Sequence, residues 1–300
     1  MASSAPAASN RVVLHVDDSD EFASVVDKLM GDASFSVHRA RTLREGEHAV
    51  AAGSFACAFF DLDLPDAEGL EAVMALRAAA PALPLVVLSN RDVTTTSVKA
   101  VLLGAQEWVG KHEVDAQRLE QAATLAIARQ DAQSEIAWRA SHDGLTGLPN
   151  RALAHEHLVR ALGRAARRGS QVAVLFCDLD EFKVVNDDLG HSAGDTVLAA
   201  VARRLVTTMR PGDLVARWGG DEFVVVAEPI DSTGQAEGIA ERVREAVGQP
   251  VLIGESERKP GVSIGIAVRP GSVIAHELIE AADRAMFEAK GKISGIHLST

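Results

Sequence analysis

Apolar and polar positions alternate in two distinct ways along this chain. In the N-terminal part, short continuous apolar runs stop abruptly at polar residues. Arg11-Val12-Val13-Leu14-His15-Val16 stops at Asp17-Asp18, and Phe55-Ala56-Cys57-Ala58-Phe59-Phe60 stops at Asp61. Leu85-Val86-Val87-Leu88 stops at Ser89, and Glu107-Trp108-Val109-Gly110 at Lys111. Helical periodicity separates them over 19–30, 67–79 and 93–103. Strands alternating with helices predict a doubly wound parallel sheet, whose ligands bind at the carboxyl ends of the strands. Every polar residue just named lies at such an end. Three acids, a hydroxyl and a lysine there make a Mg²⁺ pocket able to receive a phosphoryl group.

Residues 113–141 contain no glycine or proline and are rich in helix formers. They predict one helix of about 40 Å if unbroken. A heptad register runs through Leu119, Ala122, Ala126, Arg129, Gln133, Ile136 and Ala140, a weak dimer seam since two positions are polar. A solvated connecting helix is the alternative. Ser141-His142-Asp143-Gly144 ends it.

Beyond this helix, Val172-Ala173-Val174-Leu175-Phe176-Cys177 is a strand-like run ending at Asp178-Leu179-Asp180. Buried carboxylates are costly unless the strand runs out at a polar site. The apolar alternations Asp213 to Trp218 and Phe223 to Val226 flank Gly219-Gly220-Asp221-Glu222, a strand, tight turn and strand. Both glycines are expected to supply the positive φ angles of a two-residue hairpin. Asp221 and Glu222 repel unless a cation neutralises them, and hard oxygen ligands there suit a Mg²⁺ that also holds phosphates. Taken alone, the motif also reads as a solvated acidic hairpin tip. Asn186 and Asp195 are residue types that can read a guanine edge, and Lys183 can meet a phosphate. Their plainer readings, shared by Gly190 and His191, are helix ends and turns.

Taken together, six segments resemble the GGDEF family of diguanylate cyclases over about 150 residues. They are Asp143 to Arg151, Asp178 to Asp187, Gly190 to Asp195, Gly219 to Phe223, Val262 to Ala267 and Ala282 to Lys290. The resemblance implies condensation of two GTP into cyclic di-GMP with loss of two pyrophosphates, each domain of a facing pair holding one GTP. It assigns Mg²⁺ (or Mn²⁺) to Asp178, Asp221, Glu222 and the Leu179 carbonyl, with Asp221 or Glu222 taking the hydroxyl proton. Asn186 and Asp195 would select guanine, with His191 grouped among the substrate-binding residues. Lys183, Lys290 and the backbone around Phe182 would hold the phosphates. Arg210 and Asp213 match the family's inhibitory Arg-x-x-Asp site for the product. Two departures stand out: Phe287 replaces a common tyrosine, and Gly291-Lys292-Ile293-Ser294-Gly295 puts Ser294 where an arginine is usual, with Lys292 as a stand-in.

The front half resembles the receiver domain of two-component response regulators. Asp61 followed by Pro65 marks the phosphoacceptor, with Asp66-Ala67-Glu68-Gly69-Leu70 continuing the pattern. Asp17 and Asp18 match the metal-binding pair and Asp63 a carbonyl ligand. Ser89 matches the switch hydroxyl, Lys111 the phosphoryl-pairing lysine and Trp108 the aromatic switch. His112 replaces the usual proline. The implied partner is a sensor histidine kinase. Phosphorylation would draw in Ser89 and bury Trp108, so that the 93–110 face pairs with a second receiver.

The formal net charge of −12 and the absence of a basic stripe argue against nucleic acid as a partner. No apolar run is long enough to span a membrane. Residues 1–10 read as a disordered lead without a signal-peptide pattern, and Cys57 and Cys177 as reduced core thiols, so a cytoplasmic location is expected. The expected organisation is a lead (1–10), a doubly wound (βα)5 receiver (11–112), a helical linker (113–141) and an α+β GGDEF domain with a central antiparallel sheet (142–300). A homodimer or higher assembly follows from the two-nucleotide reaction. The alternative function is a catalytically weak module sensing GTP or cyclic di-GMP.

Overall fold

The computed structural model describes residues 11–31, 35–90, 99–254, 256–292 and 295–299. The N-terminal lead lies outside the described residues, as do 93–98 of the expected 93–103 helix and Ser294. The chain divides into two compact units, Met1–Ala137 and Trp138–Thr300.

In the first unit, β1 (Arg11–Val16), β2 (Phe35–Ala40), β3 (Cys57–Asp61), β6 (Leu85–Ser89) and β7 (Glu107–Gly110) form one sheet in the order β2-β1-β3-β6-β7. Every pairing in it is parallel. Two-residue strands β4 (Asp63–Leu64) and β5 (Ala67–Glu68) form a small ladder after β3. Helices α1 (Asp20–Gly31), α2 (Leu43–Ala52) and α3 (Leu70–Ala79) join the strands. Parallel strands are buried on both faces, which is why they read as apolar runs. Phe60, Leu76 and Trp108 belong to one core layer, and Phe59, Met30 and Leu119 to the other.

Helix α4 (Ala116–Ser141) is continuous. Its buried residues are Leu119, Ala122, Ala123 and Ala126, which pack into the second core layer. This corrects the heptad reading. The first three seam positions are core residues of the parallel-sheet unit and unavailable to a second chain. Off the packed face, Leu125, Ile136 and Trp138 keep apolar side chains exposed, Ile136 the most at 68%.

The second unit carries α5 (Arg151–Arg168), β8 (Gln171–Asp180), α6 (Phe182–Leu189), α7 (His191–Thr208), β9 (Leu214–Gly219) and β10 (Glu222–Ile230). After them come α8 (Thr233–Val247), the β11–β12 hairpin (Val251–Ile253 and Ser256–Arg258), β13 (Gly261–Pro270), α9 (Ala275–Ala289) and β14 (Ile296–Leu298). The sheet order is β14-β13-β8-β10-β9, antiparallel except for the β13–β14 pair. Both faces are covered. Along β8, Val172, Val174 and Phe176 face α5 and α9, whereas Ala173, Leu175, Cys177 and Leu179 face α7 and α8.

Entry into this unit is stitched to its sheet. Asn150 caps α5 through Ala152 and Leu153 and donates to the Ala140 carbonyl at 2.8 Å. The Arg217 N–H bonds the Pro149 carbonyl at 2.9 Å. Close helix approach depends on Gly265 in β13, where an added Cβ would lie 2.0 Å from the Met286 nitrogen and 2.1 Å from the Ala282 oxygen of α9. Those atoms are backbone and cannot step aside. Gly265→Ala is therefore expected to destabilise this unit by about 3 kcal/mol or more. Gly144→Ala, with nothing within 4 Å, should stay within about 0.5 kcal/mol. Urea denaturation of the two variants checks the contrast.

Candidate active site and phosphoacceptor pocket

Strand alternation decides where the acids point. In β8 the even-numbered positions face α9, and Asp178 continues that series. Glu222 opens β10 directly opposite Asp178. Two carboxylates thus form a cross-strand pair on one face, an arrangement that destabilises a sheet unless something compensates. Part of the compensation is Lys290, just past α9, whose Nζ lies 3.0 Å from Asp178 Oδ1. Burial pushes the Asp178 carboxyl above its ordinary value, with Asp221 and Asp180 adding to the shift and Lys290 opposing it. Glu222 is raised as well, by burial first and then by Asp178, Asp283 and Asp221. Asp283 was not singled out in the sequence; its place on α9, about two helical turns before Lys290, was the available signal.

The hairpin differs from expectation in one detail. Gly219 pairs with Glu222 as the last residue of β9, so the two-residue loop is Gly220-Asp221. Only Gly220 has positive φ, at 52°. The register then slips, Phe223 pairing with Arg217, so that Trp218 is an extra residue. Arg217 clamps the turn. Its Nε and Nη2 donate to the Gly220 carbonyl at 3.0 and 2.7 Å, and its Nη1 to Asp143 at 2.9 and 3.0 Å. Burial opposes the Asp143 charge, but hydrogen bonds from Thr146 and Arg217 outweigh it and hold the carboxyl below its ordinary value. Arg217 and Asp143 are positioning residues that sequence reasoning left without a role, although both stood in the quoted motifs.

A cavity of about 490 Å³ opens beside the acids, lined by Asp178, Asp180, Glu181, Ser263, Lys290 and Lys292. Ser263 donates to Asp180 at 2.7 Å. Glu181, at φ 54°, is the one non-glycine residue with positive φ among the described residues. That left-handed step, which costs about 1 kcal/mol, turns β8 straight into α6. Phe182 and Asn186 of α6 meet α7 at Gly194, where a Cβ would lie 2.0 Å from Asn186 Oδ1 and 3.0 Å from Phe182 Cζ. Asp195 follows on the exposed side of α7, while Lys183 and His191 are exposed. Arg210 and Asp213 pair with each other at 3.1 Å, and Arg210 also donates to the Pro229 carbonyl at 2.8 Å.

In the first unit, strand ends assemble the other cluster. Oxygens of Asp17, Asp18 and Asp61 lie within 4.8 Å of one another, the one such group of three among the described residues. All donors are carboxylate oxygens, which fits Mg²⁺ or Mn²⁺. Lys111 Nζ bridges Asp17 at 2.7 Å and Asp61 at 2.8 Å. Burial opposes its charge, yet those two contacts hold the ammonium above its ordinary value. Burial raises Asp61, partly offset by Lys111. Ser89 is fully buried at the end of β6, and Asp63 is exposed in β4. His112 lies in a short 3-10 turn, Lys111–Glu113, that leaves the lysine in reach. Trp108 is already buried, at 8% exposure, with no hydrogen-bond partner for Nε1 among the described residues. Its burial therefore does not await phosphorylation, contrary to the expectation above. His15, buried beside Asp17, has no hydrogen-bond partner for either ring nitrogen among the described residues, and burial lowers it to about 4.

The two sites define a signalling protein with a receiver and a nucleotidyl-cyclase-like domain. The chain belongs to the diguanylate cyclase GGDEF family: that family's model, "Diguanylate cyclase, GGDEF domain", matches residues 140–294, and the response regulator receiver domain model matches 13–124. It is 43% identical over 168 residues to the diguanylate cyclase TpbB of Pseudomonas aeruginosa, across 55% of this chain and 39% of that protein. The match thus spans about two fifths of that relative. The solved GGDEF domain of TpbB from the same organism is 42% identical, with a TM-score of 0.51 over 53% of this chain and 94% of that one. The coiled coil and GGDEF domain of DgcB from Caulobacter crescentus, solved in complex with c-di-GMP, is 27% identical with a TM-score of 0.55, covering 61% of this chain and 97% of that one. Among the described residues no helix is long and apolar enough to cross a membrane.

Glu222 has a folded-state pKa above its unfolded value, so its ionisation costs stability. That cost is absent below about 4.5, the ordinary value, and grows as pH rises through the folded pKa. Glu222→Gln should therefore raise the melting temperature of the metal-free protein at neutral pH by about 2 °C. The difference should vanish in acid. Calorimetry in EDTA across pH measures it.

Proposed function

We propose that the chain is a diguanylate cyclase, condensing two GTP into cyclic di-GMP and two pyrophosphates, under control of a receiver phosphorylated at Asp61. The observation that carries this reading is the facing pair Asp178 and Glu222 beside Asp221 and Lys290, at the mouth of a cavity with room for phosphates. Such a like-charge cluster is retained at a cost to stability and makes sense as a cation and phosphate site. Asp178, Asp221, Glu222 and the Leu179 carbonyl would hold Mg²⁺ or Mn²⁺, which when bound supplies charge neutralisation for the α-phosphate and activates the 3′-hydroxyl.

The remaining roles belong to the chain itself. Asp221 or Glu222, adjacent at the hairpin turn, takes the proton of the attacking hydroxyl. Lys290 moves from Asp178 to the triphosphate, with Lys183 and Lys292 on the same charge. Asn186 and Asp195 select guanine, the amide reading the carbonyl and the carboxylate the N–H groups, with Phe182 against the ring and His191 nearby. Arg217 holds the turn that carries Asp221 and Glu222. One domain holds half of the reacting pair, so catalysis requires a homodimer or larger assembly. In the receiver, Asp17, Asp18 and the Asp63 carbonyl hold the cation, Asp61 takes the phosphoryl group from a sensor kinase, and Lys111 and Ser89 bind it. Receiver pairing then raises the effective concentration of one loaded domain for the other.

Purified protein with GTP and Mg²⁺ should form cyclic di-GMP at a rate that rises more than linearly with protein concentration. Beryllofluoride should raise that rate about tenfold at low protein concentration, and Asp61→Asn should abolish the rise. Asp221→Asn should lower turnover by at least about 100-fold. Wild-type protein that makes no cyclic di-GMP would leave a sensing module as the correct reading.

Product feedback at Arg210 and Asp213 belongs to the same proposal. A guanine edge would replace the Arg210 contacts with Asp213 and the Pro229 carbonyl. Arg210→Ala should leave initial rates unchanged while weakening inhibition by added cyclic di-GMP about tenfold or more. Progress curves with and without added product test this.

A further inference from the structure

A second, larger cavity of about 830 Å³ lies beside the catalytic turn and shares no lining residue with the acidic one. Its walls are Arg151 and His155 from the first turns of α5, His276 from the first turn of α9, and Trp218 at the β9 bulge, with Ile279 at its base. Gly219 and Gly220 form its rim.

The charge in this cleft is unbalanced. Asp143 is its one acidic lining residue, and Arg217 already neutralises it. Arg217 is itself fully engaged by Asp143 and the Gly220 carbonyl. Arg151 has no carboxylate partner among the described residues; its guanidinium rests over the Trp218 ring, 4.7 Å from the centroid. His155 likewise has no acidic partner among them, and His276 pairs with Glu280 at 3.1 Å. A cationic surplus in a chain of net charge −12 is a local feature, not an average of the surface.

Two helices also begin here. Arg151 and Ala152 open α5, and His276 is the second residue of α9, whose N-cap is Ile274 without a side-chain hydrogen bond. Helix starts add positive potential; the Ala152 and Leu153 N–H groups of α5 are already held by Asn150, so the N–H donors come from the start of α9. Guanidinium, imidazole and helix ends together match the fork geometry and charge of phosphate oxygens. The volume lies within the range of small-molecule sites and exceeds the needs of a single phosphate.

We infer that this cleft binds a small anion containing a diphosphate group. Phosphate oxygens take the Arg151 guanidinium off the indole face, with His155 and His276 completing the contacts. The occupant touches the rim glycines, so binding is coupled to the turn bearing Asp221 and Glu222. Inorganic pyrophosphate and the diphosphate of a nucleotide share this chemistry.

The test uses the full chain labelled with fluorotryptophan, which gives one fluorine NMR resonance for each of three tryptophans. Trp218→Phe assigns the relevant one. Titrations are run in EDTA, so that metal-dependent binding at the acidic site does not contribute, with pyrophosphate in one arm and adenosine diphosphate in the other. The expected result is a saturable shift of the Trp218 resonance, with apparent affinity weakened about tenfold by Arg151→Gln and also weakened by His155→Ala. Saturation by pyrophosphate alone identifies an inorganic ligand, and tighter binding of adenosine diphosphate identifies a nucleotide. No shift at millimolar pyrophosphate, an equal shift with sulfate at matched ionic strength, or an unchanged affinity in both variants overturns the inference. Turnover plays no part in the readout, so its failure leaves the cyclase proposal standing.

Discussion

Two carboxylates facing each other across adjacent strands govern the architecture of the C-terminal unit. Glu222 and Asp178 are paired by register, and their side chains share a face because strand residues alternate. Like charges directly opposite each other weaken a sheet relative to an uncharged pair. What keeps it intact is apolar burial immediately behind, where Phe223, Cys177 and Val225 are all within the core. The lysine at the end of α9 removes part of the repulsion. Its removal would leave three neighbouring acids with only solvent between them.

The parallel-sheet unit solves a related problem differently. Asp17 and Asp61 come together because β1 and β3 are neighbours and both end at the same edge. Here Lys111 is shared by the two acids, and it arrives from β7, two strands away from β3. A single ammonium between two buried carboxylates leaves net negative charge, so an added cation or phosphoryl group meets a pocket whose charge is only partly balanced.

Much of this was legible in the sequence. Strands buried on both faces announce themselves as apolar runs, and β1, β6 and β7 fall where those runs do. Strand β2 was missed because Phe-Ser-Val-His-Arg-Ala at a sheet edge carries polar residues and is only half buried. Helix α2 was missed because Gly46 and scattered charges blur its periodicity. The heptad in α4 misled because the same apolar spacing serves a helix packed on its own sheet and one packed on another chain. The roles of Arg217 and of the cleft at Arg151 were invisible for another reason. Their partners are remote in sequence, and only the sheet register brings them into contact.

The Arg217 side chain has one further implication. Its guanidinium ties the Gly220 carbonyl to Asp143, and Asp143 lies two residues beyond the end of α4. The doorway of the domain and the tip of its reactive ribbon are therefore fastened by one rigid, planar group. A twist or pull arriving along the incoming helix has no slack segment in which to dissipate before it reaches the turn.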